Sequence, residues 1–479
     1  METKKRTTTT RKKASAGTGE APEAGLNIPD FPATESFEDD SGVETTGRFI
    51  VIFKEGATSG AAAIRSTLNK VAGLREVTSS SDYAAGQALG LHASEAFHFE
   101  KLGIVVMSGE DAMMSLSAST ADADSPILSI EPEYIARLSD PLHGEFDLRY
   151  LRGYRDAVNH LYDRLSGGGE AAEQVGHIEA ILQDTAQFTW GLQATGASTS
   201  RHNGQGIKVA VLDTGFDLHH PDFIGRNITS ETFSGFPVQD IHGHGTHCVG
   251  TACGPLSPAS GVRRYGVATA AQIFVGKVFN NDTRPGAATG DVVAGIEWAI
   301  TNGCRIVSLS LGVPMNQQIQ QYSEPIRRAL EAGTLVVCAA GNNANRQGLP
   351  GFDSTRQPTL GFVEPPANAD HSMAVAAVDN QMRIAAFSAR SSQVTGSGGK
   401  VNIAGPGVAV FSSVPTSRGR HASFNGTSMA TPHVAGIAAL WAQAEGLSGM
   451  SLWNRLIQSA RALSLASADA GSGLVQAPQ

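Results

Sequence analysis

The greater part of this chain is predicted to form an α/β fold with a mostly parallel central sheet in three layers, preceded by a small α+β domain of ferredoxin-like order. Three observations predict it. From about Thr189 onward, apolar runs of strand length alternate with longer helical stretches, the pattern of a parallel sheet with helices on both faces. Between Gly47 and Asp140 the order reads β-α-β-β-α-β, a split βαβ unit. Glycine is abundant (54) and aromatic residues few (6%), a balance that suits a close-packed chain with many tight turns.

Residues 1–46 are poor in apolar side chains, opening basic and turning acidic from Glu20 to Glu44, so a disordered low-complexity tail is expected. Its charged start is not followed by an apolar run, so no secretory signal is visible, and a cytoplasmic or non-classically exported protein is expected. Within residues 47–140, Arg48–Lys54 reads as a strand, Ala61–Leu74 as a helix, and Ala96–Met107 as a strand pair. Glu110–Ser119 follows as a helix and Ile127–Leu138 as a closing strand. Residues 141–188 suggest two helices, about 146–165 and 170–184, around Ser166-Gly167-Gly168-Gly169: a helical linker or a further piece of the N-terminal region. Residues 189–479 form one domain. Its strands are Lys208–Leu212, Ile273–Val278, Ile306–Leu311 and Leu335–Ala340; its helices start at His244 and cover Gly290–Thr301, Glu324–Ala332 and Ser428–Trp441. The last is apolar nearly all round, as a helix buried on every side must be.

Composition excludes several partners. A net charge of −9 argues against nucleic acid, and no apolar run of about 18 residues is available to span a membrane. The four cysteines, Cys248, Cys253, Cys304 and Cys338, lie in or beside apolar segments and read as buried free thiols. A monomer is expected.

Three segments carry chemistry. Val209-Ala210-Val211-Leu212-Asp213-Thr214-Gly215 is a buried strand that releases an aspartate at its carboxyl end. His242-Gly243-His244-Gly245-Thr246-His247 opens a helix with a histidine, and Gly426-Thr427-Ser428-Met429-Ala430 places a serine after a glycine turn at a helix start. A serine hydroxyl needs an adjacent base to attack a carbonyl. Histidine titrates where it can take and return that proton, and a carboxylate fixes its tautomer. A competing reading takes His242, His244 and His247 as a zinc cluster of a metallohydrolase, although Thr246 stands where such a motif needs a carboxylate.

These blocks, in the order Asp, His, Ser, resemble the signatures of the subtilisin-like serine proteases (subtilases, peptidase family S8). The resemblance implies a serine endopeptidase with Asp213 orienting, His244 as general base and acid, and Ser428 as nucleophile. Thr334–Asn342 resembles the family's oxyanion strand and makes Asn342 the side-chain oxyanion donor, with the Ser428 N–H as the second. Arg305–Gly312 is similar to its substrate-lining strand, so Ser310, Leu311 and Gly312, with Gly341, are the expected substrate-binding residues, pairing with extended polypeptide by strand addition. The pocket walls are expected from Ser310–Gly312, Gly341–Asn343 and the loop around Pro365–Asn368.

No cofactor is implied for the chemistry. Calcium is implied only as a structural ion, with Asp222 at a matching acidic position, although Gly254–Gly261 brings no carboxylate where the family supplies most other ligands. Cys248 after His247 resembles the proteinase K-like branch. Residues 47–140, closing on Ser129–Ile135, are similar to the inhibitor-type propeptide, which implies an autoprocessed zymogen whose partners are polypeptide substrates and its own propeptide. The non-enzymatic alternative is a silent scaffold of the same fold that only binds.

Overall fold

The computed structural model describes residues 37–38, 42–56, 61–74, 76–82, 95–120, 122, 124–138, 181–349, 351–392 and 399–479. Contacts separate residues 1–34 from a unit running from Glu35 to Gln479, and the described residues belong to the second. The helix expected over 146–165 and most of that over 170–184 lie outside the described residues. Residues 181–184 are not helical. Leu182 instead exchanges hydrogen bonds with Asn380, through its N–H to the Asn380 carbonyl (3.1 Å) and its carbonyl from Asn380 Nδ2 (2.9 Å).

The N-terminal part contains β1 (Phe37–Glu38), β2 (Glu44–Phe53), α1 (Ala61–Ala72), β3 (Val77–Ser79), β4 (Ala96–Phe99), β5 (Ile104–Met107), α2 (Glu110–Thr120) and β6 (Ile127–Leu138). β1 and the start of β2 fall within the stretch expected to be a disordered tail. β2 lies between β5 and β6, antiparallel to both. Its residues alternate, as a strand's period of two requires. Val51 and Phe53 join Ile64, Leu68 and Leu116 under α1 and α2. Ile50 and Ile52, with Phe97, Phe99, Ile104 and Val106, face the other way and merge with the core of the following domain.

That domain contains α3 (Trp190–Ala194), β7 (Lys208–Asp213), β8 (Ile228–Thr232), α4 (His244–Cys253), β9 (Gln272–Lys277), β10 (Gly286–Ala288), α5 (Thr289–Thr301), β11 (Ile306–Leu309), β12 (Leu311–Gly312), α6 (Gln320–Glu331) and β13 (Leu335–Ala339). It continues with β14 (Met373–Val378), β15 (Ile403–Pro406), β16 (Val410–Ser413), β17 (His421–Phe424), α7 (Thr427–Glu445), α8 (Gly449–Ser459) and α9 (Ser467–Ala470). The central sheet runs β15-β14-β13-β11-β7-β9-β8, every neighbouring pair parallel. Alternate strand residues serve opposite layers. Val209, Val211, Val337 and Val375 pack on α4 and α7, whereas Ala210, Leu212, Val336 and Ala374 pack on the side of α5 and α6. Such a sheet presents its carboxyl ends along one edge, where binding residues collect.

Helix α7 is buried from Thr427 to Leu440, as its apolar sequence requires. It passes α4 so closely that a Cβ on Gly436 would lie 2.6 Å from Val267 Cβ and 2.8 Å from the Ala252 carbonyl. No helix among the described residues is long and apolar enough to cross a membrane. Gly436→Ala is therefore expected to overpack this crossing and to lower stability by about 1–3 kcal/mol, read as a fall in melting temperature by calorimetry.

Candidate active site

Asp213 ends β7, and its backbone turns at once through Thr214 and Gly215. Gly215 takes φ +104, and a Cβ there would meet the Val238 carbonyl at 2.0 Å. One on Gly245 would meet the Gly215 carbonyl at 2.2 Å. Two glycines thus let the start of α4 touch the end of β7, and this contact brings His244 to Asp213. His244 Nδ1 lies 2.8 Å from Asp213 Oδ1, with both side chains 1% exposed. The carboxylate can only accept, so Nδ1 carries the proton and Nε2 is left as the basic nitrogen.

A second carboxylate, absent from the expected site residues, builds this contact. Asp240 Oδ1 accepts from Thr214 Oγ1 (3.0 Å), His242 N (2.9 Å) and Gly243 N (2.8 Å), and its Oδ2 accepts from Thr246 N (2.9 Å) and Thr246 Oγ1 (2.7 Å). Thr214 Oγ1 in turn accepts from Gly245 N at 2.8 Å. One buried side chain thereby ties the exit of β7 to the first turn of α4, where unpaired N–H groups attract an anion. Lys277, at the end of β9, donates to the Thr214 carbonyl (2.5 Å). Burial lowers its pKa to about 8, opposed by the nearby charges of Asp240 and Asp213. The only signals of these two residues in the sequence are an acid just ahead of the histidine block and a lysine inside an apolar strand.

Ser428 lies in the first turn of α7. Pro432 has no N–H, so the Ser428 carbonyl lacks its helical donor. Ser310 Oγ takes that place at 2.9 Å, with Cys248 Sγ at 3.6 Å. The same sulfur lies 3.8 Å from His244 Nδ1, so one atom touches both Ser428 and His244. Burial pushes the Cys248 thiol up to about 11, and it stays protonated beside the imidazole. All four cysteines are free and buried. Asn342 follows β13, and its Oδ1 accepts from Thr427 N and Thr427 Oγ1, both at 3.0 Å. With the oxygen so engaged, the Nδ2 arm is the donor.

Leu311 and Gly312 pair antiparallel with Leu138 and Arg137 of β6. On its other side β6 pairs with β10, Ile135 with Ala288 through Arg137 with Gly286. The last strand of the N-terminal part thus lies between two strands of the following domain, and β10 is a wall that the sequence did not reveal. Three carboxylates secure the arrangement. Glu131 accepts from Gln320 N (2.9 Å) and Gln321 N (3.0 Å) at the start of α6. Glu133 accepts from Gly290 N (2.8 Å) at the start of α5 and from Arg48 Nε (2.6 Å). Glu297 of α5 accepts from Lys101 N (3.1 Å) and Leu102 N (3.2 Å).

The histidines of the zinc reading have other partners. His247 Nε2 donates to the Val410 carbonyl (2.9 Å), and its ring stacks on Phe424 with centroids 4.5 Å apart. Burial lowers its pKa to about 3, so it is neutral. Among the described residues no cluster of ligating atoms joins His242, His244 and His247.

Asp222, the position matched to a calcium ligand, has both carboxylate oxygens engaged by protein donors. Its Oδ1 accepts from Ser260 N (2.8 Å), and its Oδ2 accepts from Tyr265 Oη and His421 Nε2 (both 2.8 Å). Calcium wants six to eight oxygens, and this carboxylate is instead spent on three protein donors. His220, Asp222 and His421 do bring three ligand-type atoms within 4.8 Å of one another, but each is also engaged by protein groups. His220 accepts from Asp222 N at Nδ1 (3.2 Å) and reaches the Arg420 carbonyl through Nε2 (2.9 Å), which engages both ring nitrogens. Burial alone would raise the Asp222 pKa, but hydrogen bonds from His421, Ser260 and Tyr265 outweigh it and hold the carboxyl well below the usual range.

Two expectations follow. Asp240→Asn turns one acceptor into a donor facing N–H groups, and kcat/KM is expected to fall on the order of a hundredfold through misplacement of His244, read per titrated active site. Asp222→Ala strands His421, Tyr265 and the Ser260 N–H, and is expected to cost about 3–5 kcal/mol at neutral pH, by calorimetry, equally with and without a chelator. Because the Asp222 pKa is depressed on folding, this contribution is complete above the unfolded value near 4 and is lost as pH falls toward the folded value. The mutant and wild-type melting curves should therefore converge in acid.

Comparison with known proteins agrees with this geometry. The family model described as the subtilase family matches residues 204–475. Subtilisin BL of Lederbergia lenta is 38% identical over 292 residues, spanning 60% of this chain and 96% of its own. Subtilisin E of Bacillus subtilis is 35% identical over 253 residues, spanning 52% and 58%. Among solved structures, a psychrophilic protease superposes with a TM-score of 0.51 at 29% identity, covering 61% of this chain and 99% of that one. With a family model over more than half its length and subtilisin BL matched over 96% of its own, this chain belongs to the subtilase family, and it is a subtilisin-like serine endopeptidase.

Proposed function

We propose that the chain hydrolyses peptide bonds through an acyl-enzyme on Ser428 and is made as a zymogen that processes itself. The observation that carries the catalytic reading is the buried 2.8 Å contact of His244 Nδ1 with Asp213, beside the first turn of α7. Extended substrate adds as a strand to Leu311–Gly312, with Ser310 and Gly341 beside the scissile bond. Ser428 Oγ attacks the carbonyl while His244 Nε2 takes its proton, and Asp213 stabilises the imidazolium without becoming protonated. The Asn342 amide and the Ser428 N–H receive the developing oxyanion, a contribution worth roughly 100- to 1000-fold in turnover on subtilisin itself. His244 then protonates the leaving amine, and water, activated by the same imidazole, releases the acid.

The zymogen reading rests on β6. It occupies both edges of the strand-addition site in the antiparallel sense a substrate would take, and it runs toward Ser310. Residues 47–140 then act as an inhibitor domain whose closing strand is the first product, and residues 141–188 are a segment lost or carried after cleavage. Asp222 carries a fold contact and no ion in this reading.

The test uses the full chain. Ser428→Ala is expected to lose on the order of a millionfold in turnover, the magnitude known for subtilisin, and to remain full length during expression. Wild-type protein should shorten, with a new amino terminus within a few residues after Leu138 in the first cleavage. Intact mass with amino-terminal sequencing reads both outcomes. A fluorophosphonate that fails to label Ser428 in the processed protein would favour the silent scaffold.

A further inference from the structure

A buried carboxylate without a cation needs a reason, because glutamate is rarely enclosed unless it is paired. Glu364 is such a group. Its Oε1 accepts from Asn343 Nδ2 at 2.8 Å, and that amide also donates to the Phe362 carbonyl at 2.8 Å. Burial pushes the Glu364 carboxyl up to about 7, opposed only by the Asn343 hydrogen bond. The Asn343 amide and the Gly341 backbone beside it do not titrate, and no charged neighbour contributes to the shift.

Its place in the fold gives the reason. Glu364 N donates to the Ala340 carbonyl (3.1 Å), and the Pro365 carbonyl accepts from Val313 N (2.8 Å). The segment therefore joins the chain leaving β13 to the chain leaving β12, the two sides of the cleft. Gly341 lies at this junction with φ +115, and a Cβ there would stand 3.0 Å from Glu364 Oε2 and 3.1 Å from its Cδ. The carboxylate thus faces the Gly341 α-carbon, one residue before Asn342. In the β6–β12 ladder Leu138 stands opposite Leu311. A substrate residue one step further stands opposite Ser310 and carries the carbonyl offered to Ser428. Its side chain leaves the strand on the face opposite to its predecessor's and enters between Ser310–Gly312 and Gly341–Asn343, the space that Glu364 closes.

We propose that Glu364 sets the preference of this cleft, accepting a lysine or arginine side chain on the acyl side of the scissile bond as the cation its carboxylate lacks. The proposal rests on the endopeptidase reading above. It also explains how an acid is tolerated beside the oxyanion donors. An ionised carboxylate there would oppose the charge developing on the substrate carbonyl, and burial, by pushing the carboxyl up to about 7, lowers the ionised fraction near neutral pH until a cation binds. A cationic side chain in the pocket stabilises the ionised form, so recognition strengthens as pH rises through the carboxyl's free value.

The experiment compares peptide anilides that differ only in the residue before the bond cut: lysine, arginine, phenylalanine or alanine. Wild-type and Glu364→Gln enzymes are processed, and rates are normalised to fluorophosphonate-titrated active sites, so a failure of the serine mechanism appears as absent labelling rather than altered preference. The kcat/KM ratio of the basic to the phenylalanine substrate is expected to exceed roughly tenfold in wild type and to fall by about tenfold or more in Glu364→Gln. In wild type the same ratio should climb between pH 6 and 8 and then level; the His244 ionisation is common to both substrates and cancels. Should Glu364→Gln not fold, this wild-type profile decides alone. A wild-type preference for phenylalanine or alanine, a ratio unchanged in Glu364→Gln, or a ratio flat with pH overturns the proposal.

Discussion

An ionised carboxylate and an imidazole must meet almost out of water, and the rest of this fold serves that requirement. Asp213 and His244 are each 1% exposed at 2.8 Å. Holding a charge there carries a desolvation cost that only donors and neighbouring charges offset. The Thr214 N–H reaches Asp213 Oδ1 at 2.7 Å, and the Lys277 cation lies behind the same turn. Asp240 adds a second negative charge, but it spends that charge on four backbone and hydroxyl donors of the α4 cap and on Thr214. The parallel sheet makes this possible because β7 and β9 end side by side, Asp213 in register with Lys277. Aspartate, lysine and helix start therefore converge without any long loop having to find its place.

The N-terminal part is not an independent body resting on this machinery. One face of its sheet is covered by its own helices, and the other contributes Ile50, Ile52, Phe97 and Phe99 to the core that α5 and α6 line. Glu131 and Glu133 of β6 reach the starts of α6 and α5, where helix dipoles favour an anion. Arg328 of α6 completes the joint by donating to the Leu102 and Phe53 carbonyls. Removing this part would uncover apolar surface and strip two helix starts of their caps. Association of this kind gains from chain connectivity, which keeps β6 concentrated at its partners.

Much of this was legible in the sequence, for reasons specific to each element. Val209–Leu212 and Leu335–Ala339 are continuous apolar runs because both faces of the central sheet are covered, and such runs stand out. The Gly-His-Gly and Gly-Thr-Ser blocks are visible because close backbone approach demands glycine beside the reactive side chain. What was hidden exists only through tertiary contact. β10 is three residues long and is a strand because β6 lies against it. Asp240 and Lys277 are single polar residues whose link to the end of β7, through Thr214, is 26 and 63 positions away along the chain. Asp222 matched a position that elsewhere holds an ion, and only the arrival of His421, Tyr265 and Ser260 shows that its oxygens are already used. The same logic limits the tail reading, since Glu44 and Thr45 become strand by pairing with Tyr134 and β1.

The buried acids can be ordered by what surrounds them, and the order separates support from recognition. Asp240 and Asp222 are saturated by donors, so their charge is already spent inside the fold. Glu133 meets both a guanidinium and a helix start. Glu297 is satisfied by two N–H groups of the N-terminal part, and burial raises its pKa to about 7. Glu364 is different in kind, since its carboxylate is held by the neutral amide of Asn343. A carboxyl satisfied from within gains nothing from a visiting cation, whereas one enclosed with a single amide gains most. In the proposed reading selectivity belongs to Glu364, which lies against the glycine preceding Asn342.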